Sequence, residues 1–146
     1  MVPTSLLNRL VRYLSGRGRR PRGTRGRGED WERLAEKELS SSGYRILARN
    51  FRTRVGEIDF VAEEGGVLCF IEVKGRGGTG FGLPAEAVTP EKQRRIFRAA
   101  EAYLTRGHRR RVPCRFDVVA ILESEGKREI EILRNAFEGP PRRRPR

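Results

Sequence analysis

Residues 56–74, GEIDFVAEEGGVLCFIEVK, constrain the fold of this chain more than any other stretch. Two apolar runs, Ile58–Ala62 and Val67–Val73, flank Glu63-Glu64-Gly65-Gly66, which is the pattern of a β-hairpin. Gly65 and Gly66 supply the positive φ angles that a two-residue turn between twisted strands requires. With those two residues as the loop, Glu64 faces Val67 and paired residue numbers sum to 131. A four-residue loop gives the same register and a three-residue loop does not. The register sets Asp59 opposite Glu72 and Glu57 opposite Lys74. Side chains alternate faces along a strand, so Glu57, Asp59, Glu72 and Lys74 gather on one patch.

Two carboxylates directly opposite one another, with Cβ atoms about 5 Å apart, repel. Lys74 offsets part of that repulsion, and a divalent cation would offset more. Oxygen ligands suit a hard ion, and Mg²⁺ typically takes one or two protein carboxylates and keeps water or phosphate oxygens elsewhere. The plainer reading is a hairpin whose polar face is solvated or paired across the strands. The hairpin alone weighs the two about equally.

Charge is distributed unevenly. The net charge is +13, yet residues 1–28 hold eight Arg and no acid, and residues 142–146 hold four Arg. Residues 29–141 therefore carry only +1 and all 19 acidic residues. Arg- and Gly-rich ends with few apolar residues favour disorder when free. They suit a polyanion, nucleic acid foremost, through phosphate contacts that do not depend on sequence. A purely solubilising tail is the alternative. Cys69 and Cys114 each sit inside an apolar run, as buried free thiols of a reducing compartment do. With His108 they make too few zinc ligands at these spacings. No apolar run reaches membrane-spanning length.

Residues 5–14 place apolar residues at helical spacing in a short basic segment, and Arg9 and Arg12 interrupt any secretory core. Residues 16–28 read as a linker. A helix is predicted from Glu29 to Ser42, with acids at its start and Gly43 as its stop. Its inward stripe is Trp31, Leu34, Ala35 and Leu39, with Glu32 on the stripe's edge. Tyr44–Arg49 reads as a strand that turns through 52–54 into the hairpin. Residues 75–84 are glycine-rich but lack the Gly-Lys-Ser/Thr ending of a phosphate-cradling loop, so they read as a mobile substrate-facing segment. Thr89 as N-cap and Pro90 as first helical residue open a second helix to Thr105. It buries Ile96, Ala99, Ala100 and Tyr103, with Lys92 one turn earlier on the same face, either reaching a phosphate or snorkelling to solvent. Arg115–Leu122 and Arg128–Leu133 read as two strands joined at Ser124–Gly126. Asp117, an acid within an apolar strand, is expected to hold a structural hydrogen bond, with an arginine as partner, rather than a metal.

Asp59, twelve intervening residues and Glu72-Val73-Lys74 resemble the D…(D/E)-x-K core of the PD-(D/E)XK nuclease superfamily. More closely, the chain resembles the YraN-like family of uncharacterised bacterial proteins, placed in that superfamily near archaeal-type Holliday-junction resolvases. The matching pieces are Trp31-Glu32 with Ala35, Gly43–Leu47, Asn50, Gly56–Asp59, Phe70–Lys74, Phe81-Gly82, Ala87–Thr89, Lys92-Gln93 and Arg115–Val119. They run in order over about residues 28–136.

The resemblance implies a restriction-endonuclease-like α/β core, a mixed sheet flanked by helices in the order αβββαββ. The domain would span 29–136, between a basic arm at 1–28 and a basic tail at 137–146. It implies Mg²⁺- or Mn²⁺-dependent phosphodiester hydrolysis in the cytoplasm of a bacterium, on nucleic acid, with DNA ahead of RNA and branched DNA among the substrates. Asp59 and Glu72 would hold the metal, with the Val73 carbonyl as third ligand. Lys74 would activate water, Glu32 would support the site, and Lys92, Gln93 and Arg76 would face the substrate. Ile58 stands where the superfamily often has proline. A homodimer is left open. The rival from another class is a nucleic-acid-associated factor that keeps the fold without catalysis.

Overall fold

The computed structural model describes residues 25–76, 90–107, 112–124 and 126–137, excepting the side chains of 25–29, Arg76 and Ser124. The segment at 5–14, both basic ends beyond this range, the loop from 77, Thr89 and His108 lie outside the described residues. Among the described residues the elements are α1 (Arg25–Ser41), β1 (Arg45–Arg52), β2 (Glu57–Glu64), β3 (Val67–Arg76), α2 (Pro90–Arg106), β4 (Cys114–Ser124) and β5 (Lys127–Phe137). This is the αβββαββ order expected. The five strands lie in the order β1-β2-β3-β4-β5, with β3 parallel to β4 and every other neighbouring pair antiparallel.

α1 begins four residues earlier than predicted, at Arg25, so the end of the presumed linker is helical and the first turn contains no acid. Glu29 and Asp30 therefore cannot serve the N-terminus as expected. Its C-terminus is as anticipated: Gly43 takes φ +91°. Tyr44 N–H donates to Leu39 O at 3.0 Å and Gly43 N–H to Ser40 O at 3.3 Å. This is the Schellman closure, and Tyr44 and Leu39 complete it by packing in one core.

The hairpin register also holds. Glu64 pairs with Val67 and the ladder runs to Phe60–Ile71, every pair summing to 131. Gly65 and Gly66 have φ of 56° and 80°, as a type I′ turn demands. All strands except β2 extend further than predicted at one or both ends.

Each helix covers one face of the sheet. α1 packs Ala35 and Leu39 over Phe60, Ala62, Cys69, Ile71, Val119 and Ile121. α2 packs Ile96, Ala99 and Ala100 over Ile58, Val61, Leu68, Phe70 and Phe116. Phe60 and Ile58 share strand parity yet enter opposite cores, so β2 switches faces between them. On β1 their partners are Arg49 and Phe51, and the residue between those two, Asn50, is left-handed at φ +50°. Asparagine tolerates that conformation better than most residues. The switch falls at Asp59.

Two close approaches fix the helices. A Cβ on Gly56 would lie 2.1 Å from the backbone oxygen of Arg95, so α2 rests directly on the β1–β2 turn. A Cβ on Gly75 would lie 2.1 Å from the indole of Trp31, so α1 rests on the end of β3.

A candidate metal centre where two strands part

β3 is the central strand and carries Glu72 and Lys74 on its α2-facing side, since Ile71 faces α1. Both are buried, at 6% and 5% exposure. Lys74 Nζ lies 3.3 Å from Glu72 Oε1. Lys92, from the first turn of α2, brings its Nζ to 2.7 Å from the same oxygen. The sequence reading had Lys92 reaching either a phosphate or solvent; here it holds Glu72. Its neighbour Gln93 is half-buried on the same turn. The Arg76 side chain lies outside the described residues, and its backbone pairs with Leu122.

Asp59 enters from the other strand. The β2–β3 ladder is continuous up to Phe60–Ile71, and the next N–H that β3 would offer, that of Val73, donates instead to Asp59 Oδ2 at 2.8 Å. A side-chain carboxylate thus takes the place of a backbone carbonyl where the strands part. Burial, reinforced by the negative charges of Glu72 and Glu32, raises the Asp59 pKa from 3.8 to about 8, against the Val73 hydrogen bond and the Lys92 charge, which pull it down. Burial likewise lowers Lys74 to about 8, with the Lys92 ammonium adding to that effect and Glu72 opposing it. Burial acts to lower Lys92 too, but Glu72 outweighs it and the net shift is upward.

The fourth member of the expected patch is absent from it. Glu57 is exposed and pairs with Arg52 at 3.4 Å, because the regular register has ended before it. Lys92 takes its place in the cluster.

Glu32 acts through its charge on Asp59 from the α1 side of the sheet. It lies on α1 and lines an open cleft of about 200 Å³ with Arg33, Glu36, Arg49, Asn50 and Phe60, in which Arg49 forms an ion pair with Glu36. Asp59, at the face switch, is the group that senses acids on both faces of the sheet. Asn50, which accompanies that switch, was matched in the sequence but given no role. Its residue type, tolerant of positive φ, was the available signal.

A second polar cluster lies on the α1 side. Asp117, fully buried, accepts hydrogen bonds from Tyr44 Oη at 2.8 Å, Arg115 Nε at 3.0 Å and the Asn135 N–H at 2.9 Å. Arg115 continues to Glu64 at 2.6 Å, and Glu64 forms two 2.7 Å hydrogen bonds with Arg134. Asp117 thus plays the structural part expected of it. It serves a β4–β5 irregularity in which Asn135 is left-handed at φ +54°. Cys69 is buried and Cys114 half-buried, both as free thiols.

Among the described residues, no three His, Cys, Asp or Glu side chains converge as a ready-made metal cage. No helix among them is long and apolar enough to cross a membrane.

Residues 31–121 match the model of the uncharacterised protein family UPF0102. The chain is 50% identical over 111 residues to the UPF0102 protein STH1475 of Symbiobacterium thermophilum, an alignment covering 75% of this chain and 94% of that one. It is 51% identical over 116 residues to a UPF0102 protein of Chlorobaculum parvum, covering 75% and 90%. With GSU0650 of Geobacter sulfurreducens it shares 51% over 113 residues, covering 77% and 86%. The matched span holds Glu32, Asp59, Glu72, Lys74 and Lys92, both helices' packed faces and the first four strands down to Ile121. The chain belongs to the UPF0102 family.

Proposed function

We propose that this protein is a divalent-metal-dependent nuclease, acting on DNA in the bacterial cytoplasm, with branched DNA among its substrates. The observation that carries the reading is the placement of Asp59 and Glu72. Their mutual repulsion is retained at the point where β2 and β3 part, beside a buried lysine. An amide at position 59 would accept the Val73 N–H as well and would lift the repulsion, so the strand contact alone does not call for the second acid.

The donor set fits a hard cation: two carboxylates and the Val73 carbonyl are all-oxygen, and the missing coordination suits water or phosphate oxygen, as with Mg²⁺ or Mn²⁺. When bound, such an ion polarises a phosphodiester and lowers the pKa of its water. Asp59 and Glu72 would hold it. Lys74, beside Glu72, would orient a water or meet charge developing on the phosphate. Glu32 supports the site through the charge it exerts on Asp59. The arginine-rich ends supply phosphate contacts without sequence preference.

The test is a cleavage panel of linear, flapped and four-way DNA with Mg²⁺ or Mn²⁺, run beside Lys74→Ala. The parent should cleave at least one substrate, while Lys74→Ala should bind DNA nearly as well and lose activity by about 10²–10³ or more. A parent that binds but never cleaves would replace this reading with a non-catalytic nucleic-acid factor.

A further inference from the structure

The nuclease reading gives Lys92 no assignment beyond facing the substrate, yet it forms a 2.7 Å ion pair with Glu72, a proposed metal ligand. Glu72 Oε1 carries two ammoniums, Lys92 at 2.7 Å and Lys74 at 3.3 Å. Lys92 also acts on Asp59. It thus stands toward both carboxylates where a cation is wanted. We infer that Lys92 is a tethered counter-cation that occupies the metal's place against Glu72 and must withdraw for a divalent ion to bind.

Charge counting supports this. Glu72 already faces two lysine ammoniums, so its negative charge is matched without a metal. Adding a divalent ion puts further positive charge into a largely buried pocket, which is costly unless a cation leaves or an anion enters. Lys74 is the less able to leave, being 5% exposed on the central strand. Lys92 is 26% exposed and sits in the first turn of its helix. A cation there opposes the positive end of the helix dipole, so helix stability does not account for it. Withdrawn from Glu72, its partly exposed ammonium would be available to a phosphate oxygen, which would neutralise the excess. Metal and phosphate then favour one another's binding by the same factor.

This inference rests on the metal-dependent reading but is tested without turnover. Mn²⁺ is titrated calorimetrically into the full-length parent, Lys92→Met and Lys92→Gln, with thermal melts confirming that each is folded. Both variants should bind Mn²⁺ about tenfold more tightly than the parent, within the range usual for coupled sites. Asp59→Asn should abolish binding in all three backgrounds. Equal or weaker binding by both Lys92 variants would overturn the inference while leaving the nuclease reading intact if the parent cleaves. Absence of Mn²⁺ binding in all three proteins would overturn it together with the metal centre.

Discussion

Asp59 Oδ2 accepts the backbone N–H of Val73 at 2.8 Å, so an acidic side chain substitutes for the carbonyl that would continue the ladder. This contact holds the two strands together where their regular pairing has ended. It also divides two substitutions that the register alone treats alike.

Asp59→Asn keeps an oxygen for Val73 and removes a charge that Glu72 repels, so its melting temperature should equal or exceed the parent's. Glu72→Gln removes the anion between two ammoniums and should destabilise the fold by about 3 kcal/mol, toward the low end for a broken buried pair because Lys92 can turn to solvent. Denaturant melts of the two variants provide the comparison. A Glu72→Gln protein as stable as the parent would refute this account of the cluster.

Gly56→Ala should be worse than Gly75→Ala. Both new methyls meet an atom at 2.1 Å, but one meets the α2 backbone at Arg95 and the other a side-chain ring that can turn. Overpacking of this kind costs about 1–3 kcal/mol, and the rigid obstacle belongs at the upper end. Trp31→Ala should relieve Gly75→Ala in a double-mutant cycle, and a fully additive cycle would contradict the contact.

Asp117→Ala strips the partner from the Tyr44 hydroxyl and the Asn135 N–H at once and should cost about 3–5 kcal/mol. Tyr44→Phe removes one of Asp117's hydrogen bonds and should cost about 1–2 kcal/mol, since Arg115 and Asn135 remain. Urea midpoints that rank the pair in reverse would show that the network is peripheral to stability.

The Arg134 hydrogen bond, aided by Arg115 and opposed by partial burial, holds the Glu64 carboxyl at about 2 instead of 4.5. A depressed carboxyl favours the folded state when ionised. Its contribution is complete above about pH 4.5 and disappears as pH falls through about 2. Between about pH 5 and about pH 3 the parent should therefore lose more stability than Glu64→Gln, as read from urea midpoints at each pH. Parallel losses in the two proteins would remove Glu64 from the acid response.

The features legible in the sequence were those determined locally. Gly65-Gly66 set the register of β2 and β3, Gly43 ended α1, and Pro90 opened α2. The start of α1 was obscured because Gly26 and Gly28 weaken a helical pattern that nevertheless continues through them. The face switch at Asp59 was hidden, since it depends on Asn50 adopting a left-handed turn on the neighbouring strand. The Lys92–Glu72 pair joins residues 20 apart in sequence through the packing of α2 on the sheet, and spacing alone placed the lysine on the right face without naming its partner. Likewise the register extrapolated to Glu57 failed because strand pairing, unlike sequence alternation, stops at Phe60–Ile71.

The parallel pairing of β3 with β4 has a consequence for the order of assembly. Asp59 and Glu72 belong to a hairpin with a two-residue turn, which closes on the microsecond scale. Lys92 belongs to the crossover between β3 and β4 and reaches Glu72 only as that non-local pairing forms. The two acids are therefore neighbours before their helical counter-cation arrives. In stopped-flow refolding, millimolar Mg²⁺ should accelerate the parent by screening that early repulsion and should accelerate Asp59→Asn less. An equal acceleration of both would place the arrival of α2 before the closure of the hairpin's open end.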